Sequence, residues 1–167
     1  MILIAFGSNL NSKSFGNPTQ NCIKAIEMLK KKFDVQKISE FYQTEPIPKS
    51  EQPWFVNGVI SIKTTLTPLI ILKNLMFIEE SFKRKRNTKN EPRVIDLDLI
   101  SYNDIVLNTE SLILPHPRMH LRKFVLKPIC DINDDWEHPV LKQKAKKLLK
   151  TLANQKIFNI KVNINYG

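Results

Sequence analysis

Apolar residues fall along this chain in short blocks of two periods, about 3.6 and 2, and their alternation predicts the elements. Met1–Phe6 reads as a short buried strand, closed by Gly7-Ser8-Asn9. Asn17-Pro18 supplies a cap and a first helical position, and Ile23, Ile26, Leu29, Lys30 and Phe33 follow at helical spacing. Val35–Thr44 and Trp54–Thr64 read as strands, the second rich in β-branched residues. Between them Pro46, Pro48 and Pro53 remove donors and fix the backbone, which predicts a long semi-rigid loop. Thr67-Pro68 repeats the cap-plus-proline signal and opens an apolar helix to about Ser81.

After a cationic stretch, Ile95-Asp96-Leu97-Asp98-Leu99 alternates strictly. Successive strand side chains point to opposite faces, so Ile95, Leu97 and Leu99 enter a core while Asp96 and Asp98 stand together on the other side. Ile105–Leu107 reads as a short strand and Leu114-Pro115-His116-Pro117 as a rigid extended segment. Leu121–Ile129 is expected to be helical with Pro128 at a kink. Val140–Leu152 is expected to be an amphipathic helix whose wet face carries Lys142, Lys144, Lys146, Lys147 and Lys150, and Phe158–Ile164 an edge strand. The order strand, helix, strand, strand, helix, strand predicts an α+β fold. It is the ferredoxin-like split βαβ core, an antiparallel sheet with helices on one face, here with an appended helix and strand.

With 167 residues, one domain is expected, large enough for a core without disulfides. Cys22 and Cys130, outside any C-x-x-C pattern, read as small core residues in a reducing compartment. Met1–Phe6 is too short for a signal or a span, so a cytoplasmic protein is expected. The net charge of +10 favours an anionic partner, either nucleic acid or a multiply charged small molecule.

The four glycines form neither a G-x-x-x-x-G-K-[ST] loop nor a G-x-G-x-x-G turn. A nucleotide would therefore need side-chain cations and metal ions around its phosphates. Asp is a poor strand former and two parallel anions repel, so something positive is expected against Asp96 and Asp98. Mg²⁺, which prefers carboxylate oxygens and keeps waters and phosphate oxygens in its shell, is suited to them, and the plainer reading is pairing with nearby arginines. Arg84, Arg86, Arg93 and Arg122 offer planar forks that match phosphate. His116 and His120 lack a third ligand for zinc, and His116 reads as a hydrogen-bonding residue facing a ligand. Phe55 and Phe124 read as packing residues, or as a pair of rings for a flat heteroaromatic whose edge Asn57 would read.

Together these pieces resemble the 6-hydroxymethyl-7,8-dihydropterin pyrophosphokinase family. The resemblance rests on Gly7-Ser8-Asn9-Leu10, Phe41-Tyr42-x-Thr44-x-Pro46, Gln52-Pro53-x-Phe55-x-Asn57, Glu79 and Arg84-x-Arg86. It continues through Pro92-Arg93-x-Ile95-Asp96-Leu97-Asp98, Pro115-His116-Pro117-x-Met119 and Arg122-x-Phe124-Val125-Leu126-x-Pro128, in family order over residues 7 to about 132. Residues 133–167 match loosely. The resemblance implies transfer of the pyrophosphoryl group of ATP to a pterin hydroxymethyl oxygen. It implies two Mg²⁺ on Asp96 and Asp98, with Asp98, or metal activation alone, deprotonating the hydroxyl. Phe55 and Phe124 would sandwich the pterin, and Asn57 with the backbone around Thr44, Glu45 and Ile47 would read its edge. Glu79, Arg84, Arg86, Arg93, Leu99, His116 and Arg122 would surround ATP, with Arg84 and Arg93 closing over the phosphates. Phe55 stands where the family often has tyrosine, and Lys89-Asn90 where some relatives carry a loop aromatic. Small-molecule partners and a monomer are expected, with no membrane and no nucleic acid. An RNA-recognition domain on the same architecture would need an RNP-like strand, which is absent.

Overall fold

The computed structural model describes residues 1–82 and 94–162. Ile2–Ser8 forms strand β1, which lies between β5 (Asp96–Tyr102) and β4 (Phe55–Lys63) with both neighbours antiparallel. On its far side β4 pairs with β2 (Asp34–Ile38) and β3 (Phe41–Thr44), and β8 (Ile157–Ile160) closes the edge against β3. A separate ribbon pairs β6 (Leu107–Asn108) with β7 (Ile113–Leu114). This is the split βαβ order, with the appended strand extending the sheet.

Helix α1 (Pro18–Lys30) begins where the sequence signals it. The Asn17 side chain accepts from the Gln20 amide at 3.0 Å, and the Gln20 side chain accepts from the Asn17 amide at 2.9 Å, a reciprocal capping box. Helix α2 spans Pro68–Ser81. Both pack on the face of the sheet that carries Ile4, Phe6, Ile60, Leu97 and Leu99. The Phe6 ring lies on Gly58, where a Cβ would come within 2.3 Å of it.

Three expectations need correction. The strand expected over Val35–Thr44 is two strands, because Ser39 takes over a ladder position with its side chain. Its Oγ accepts from the Val59 amide at 2.9 Å and donates to the Glu40 carbonyl at 2.8 Å. The helix expected over Val140–Leu152 shrinks to α4, Ala145–Lys150. The chain before it turns through Lys142 at φ 52°, while the His138 Nδ1 accepts from the amides of Val140 and Leu141. A left-handed residue cannot continue a right-handed helix. Finally, helices cover both faces. Helix α3 (Lys123–Ile132), entered through a 3-10 turn at Met119–Leu121, packs with α4 on Leu3, Val59 and Ile100 of the opposite face. Pro128 lies inside α3, withholding the donor that would close on the Phe124 carbonyl.

The cover of this second face is partial. Leu3, Val59 and Ile100 lie under α3, whereas one end of the face, around Gly7, Asn57, Asp96 and Thr44, adjoins the loops that enter α3 and leave β3. The candidate site lies there.

Candidate active site

Strand register builds the site. Gly7 of β1 stands opposite Asp96 on one side and Asn57 on the other, and Asn57 stands opposite Tyr42. Residues directly opposite share a face, so Asp96, Gly7, Asn57 and Tyr42 form one row across four strands. Asp98 lies opposite Ala5, and Phe55 opposite Thr44. As the alternation predicts, Ile95, Leu97 and Leu99 are buried, while Asp96 and Asp98 are half-buried on the other face. Leu99 turns its side chain into the core, so a ligand could meet only its backbone.

Gly7 makes the row possible. A Cβ there would sit 2.6 Å from the Asn57 Oδ1. The Asn57 amide donates to the Thr44 Oγ1 at 2.7 Å, which fixes both edge-reading candidates in one orientation. Asn9, just past β1, donates to the Pro53 carbonyl at 3.0 Å and ties the proline-rich loop to the row.

On the carboxylate side, the His116 amide donates to the Ile100 carbonyl at 2.9 Å, and its Nδ1 accepts from the Arg118 amide at 3.2 Å. Burial, helped by Arg122 and Arg118 and opposed by Asp96, pushes the His116 imidazole down to about 4. It is therefore neutral at pH 7, and with Nδ1 accepting, the proton sits on Nε2, a donor for an anionic ligand. Asp96 and Arg122 thus lie close enough to His116 to act on its charge. Glu79, buried in α2, accepts from the Leu97 amide at 2.9 Å and so holds the strand between the two aspartates. Arg84, Arg86 and Arg93, with the rest of the cationic stretch, lie outside the described residues.

His138 is pushed down to about 4 as well, by burial and then by His120. The unfolded chain, with histidines near 6.5, binds those protons first. Stability is then full above pH ~6.5 and drains as pH falls towards 4. His138→Asn, which keeps an acceptor for the Val140 and Leu141 amides, is expected to remove about one proton from that acid slope. Melting temperatures followed from pH 7 downwards measure it; an unchanged slope would contradict the assignment.

On the other side of the row, a pocket of about 200 Å³ is lined by Thr44, Glu45, Pro46, Ile47 and Phe124 together with Lys49, Lys123 and residues 154–156. Of the residues expected around a pterin, Thr44, Glu45, Ile47 and Phe124 thus come together, with Asn57 hydrogen-bonded to Thr44 and Phe55 paired to it in register. The Arg122 guanidinium stands 5.5 Å from the centre of the Phe124 ring, linking this pocket to the His116 neighbourhood. Behind it the Tyr42 hydroxyl donates to Asp131 at 2.7 Å, and Lys127 pairs with the same carboxylate, fastening α3 to β3. Residues 154–156 went unnoticed in the sequence. They carry no motif, and the long-range β8–β3 pairing together with the bonds from Gln155 to residues 121 and 123 brings them to the pocket.

Residues 3–134 match the family model for 7,8-dihydro-6-hydroxymethylpterin-pyrophosphokinase. The chain belongs to this family. A pyrophosphokinase of Haemophilus influenzae named for 2-amino-4-hydroxy-6-hydroxymethyldihydropteridine is 36% identical over 157 residues, covering 94% of this chain and 96% of that protein. The folic acid synthesis protein fol1 of Pneumocystis carinii is 41% identical over 140 residues, 83% of this chain but 18% of that protein. This chain spans about a fifth of that relative and of the Dictyostelium discoideum FOL1, of which it covers 23%. The wild-type HPPK-DHPS crystal structure of Plasmodium falciparum superposes with a TM-score of 0.67 over 92% of this chain and 44% of that one. At 14% identity that likeness bears on the fold alone, and it supports the ferredoxin-like assignment. No helix among the described residues is long and apolar enough to cross a membrane.

Proposed function

We propose that this chain transfers the pyrophosphoryl group of ATP to the hydroxymethyl oxygen of 6-hydroxymethyl-7,8-dihydropterin. The observation that carries this reading is the row Asp96, Gly7, Asn57, with Asp98 on the same face two residues on, which puts two carboxylates and an edge-reading amide on the sheet face that borders the polar pocket holding Phe124. The hydroxymethyl oxygen attacks the β-phosphorus and its O–H proton is lost. The bond from that phosphorus to the α,β-bridging oxygen breaks, and AMP leaves. Little covalent work falls to the protein, so positioning and charge supply most of the rate.

Asn57, fixed by Thr44, reads the pterin edge, and Phe55 and Phe124 hold its faces. The neutral His116 donates from Nε2 to the nucleotide, and Arg122 lies between nucleotide and pterin. Glu79 acts through Leu97, keeping the aspartate strand in place. Arg84, Arg86 and Arg93, outside the described residues, have the planar forks that would neutralise the phosphates. Asp98 would take the hydroxyl proton.

The donor set fits Mg²⁺. Asp96 and Asp98 stand on one face of β5 as two carboxylate donors, and an ion held there would complete its shell with waters and phosphate oxygens. That is how a hard ion which sheds its waters reluctantly is commonly held. When bound, two such ions would neutralise the triphosphate oxygens.

The test is AMP formation from ATP, dependent on both the pterin alcohol and Mg²⁺, with the label of γ-labelled ATP found on the pterin. ADP as product, or AMP independent of pterin, would overturn the reading.

A further inference from the structure

We propose that Gln155, in the turn between α4 and β8, is a positioning residue that sets Arg122 and Phe124 together and so completes the pterin pocket. This rests on the reaction proposed above, though its test reads binding directly. Helix α3 opens without a side-chain cap from Arg122, its own N-cap residue. The first amide of the helix, Lys123, donates instead to the Gln155 Oε1 at 2.8 Å. The Gln155 Nε2 donates back to the Leu121 carbonyl at 2.8 Å. One carboxamide thus bridges the peptide groups on either side of Arg122, using both of its functions, and replaces the missing cap from a distant part of the chain.

The opposite wall of the pocket is tied to the same turn. Ile157 pairs with Thr44 in the β8–β3 ladder, which delivers Gln155 and Lys156 to the pocket mouth. The exposed Lys156 ammonium lies 3.5 Å from the half-buried Glu45 carboxylate, a contact that agrees with the register. Residues 154–156 therefore join the two walls, α3 with Phe124 and the β3 exit with Thr44 and Glu45. With Arg122 5.5 Å over the Phe124 ring, a shift of the Leu121–Lys123 peptides displaces both side chains at once. Gln155 needs no contact with the reacting atoms to act in this way.

Gln155→Met keeps the length and most of the volume but makes neither hydrogen bond. Titrating the intact protein with 6-hydroxymethylpterin, followed by its fluorescence in the presence of a non-hydrolysable ATP analogue and Mg²⁺, reads the pocket well below the melting temperature. Gln155→Met is expected to weaken pterin about tenfold and the ATP analogue less, with KM for pterin rising more than kcat falls. Gln155→Glu keeps the bond from the Lys123 amide but loses the donation to the Leu121 carbonyl, and is expected to recover only part of that affinity. Pterin affinity within twofold of wild type in Gln155→Met would overturn the proposal, whatever the melting temperature does. Equal loss in the Met and Glu variants would overturn it too. Should the wild-type chain bind pterin yet form no AMP, the reaction would fall while the clasp, read by binding, would still stand or fail on its own variants.

Discussion

Asp96→Asn and Asp98→Asn are each expected to cut kcat by about 10³-fold or more with the fold intact. The two halves of this expectation have one origin. Side chains two apart on a strand share a face and lie about 6–7 Å from each other, so two carboxylates there repel. Neither residue contributes to the apolar clusters on either face of the sheet. Asn keeps the shape and removes the charge, so the apolar packing on both faces of the sheet is left as it is. If the carboxylates exist to hold Mg²⁺ against a triphosphate, that same change removes the ligand charge on which the reaction depends. Steady-state rates at saturating pterin, ATP and Mg²⁺, set beside thermal unfolding, measure both halves. Activity within tenfold of wild type would defeat the assignment, and a large drop in melting temperature would make the aspartates structural. Asp96→Asn carries an independent readout. The Asp96 charge holds the His116 imidazole up against burial and two arginines, so its removal should push His116 still lower, which NMR titration would register.

How far the fold could be read from sequence follows from how local each cause is. The aspartate face was legible because side-chain alternation is a property of the extended backbone, needing no knowledge of neighbours. The starts of α1 and α2 were legible because Asn17-Pro18 and Thr67-Pro68 act within a single turn. The break between β2 and β3 was hidden, since it depends on Ser39 meeting Val59 twenty residues away. The shortened α4 was hidden for a similar reason: lysines and leucines at 141–152 have helical spacing, but His138 captures the amides just before them. In the site, Thr44, Phe55 and Asn57 lie together because strand pairing carries them to one place. Glu79 has a clear structural partner in the Leu97 amide, which no spacing rule could reveal. Gln155 had no signal at all, because its partners are backbone groups exposed by an uncapped helix.

Gly7→Ala is expected to raise KM for pterin by about 10²-fold, an effect far larger than one methyl group ordinarily brings. The added Cβ would stand 2.6 Å from the Asn57 Oδ1, inside any tolerable contact. Asn57 cannot simply swing away, because its amide is held by Thr44 at 2.7 Å and it is 7% exposed. Either the bond to Thr44 breaks or the β1–β4 ladder parts locally. Both outcomes move the group assigned to read the pterin edge, and the second also disturbs Asp96 on the other side of Gly7. Gly58→Ala supplies the contrast. Its Cβ would meet the Phe6 ring at 2.3 Å on the core face, where overpacking should cost about 1–3 kcal/mol of stability. The two glycines are one strand apart, yet they point to opposite sides of one sheet. Gly7→Ala should therefore damage pterin recognition more than folding, and Gly58→Ala folding more than recognition. Pterin and ATP kinetics of both variants, measured with their melting temperatures, decide the matter. If Gly7→Ala left KM for pterin unchanged, Asn57 would not be reading the substrate, and the row across the sheet would lose its functional meaning.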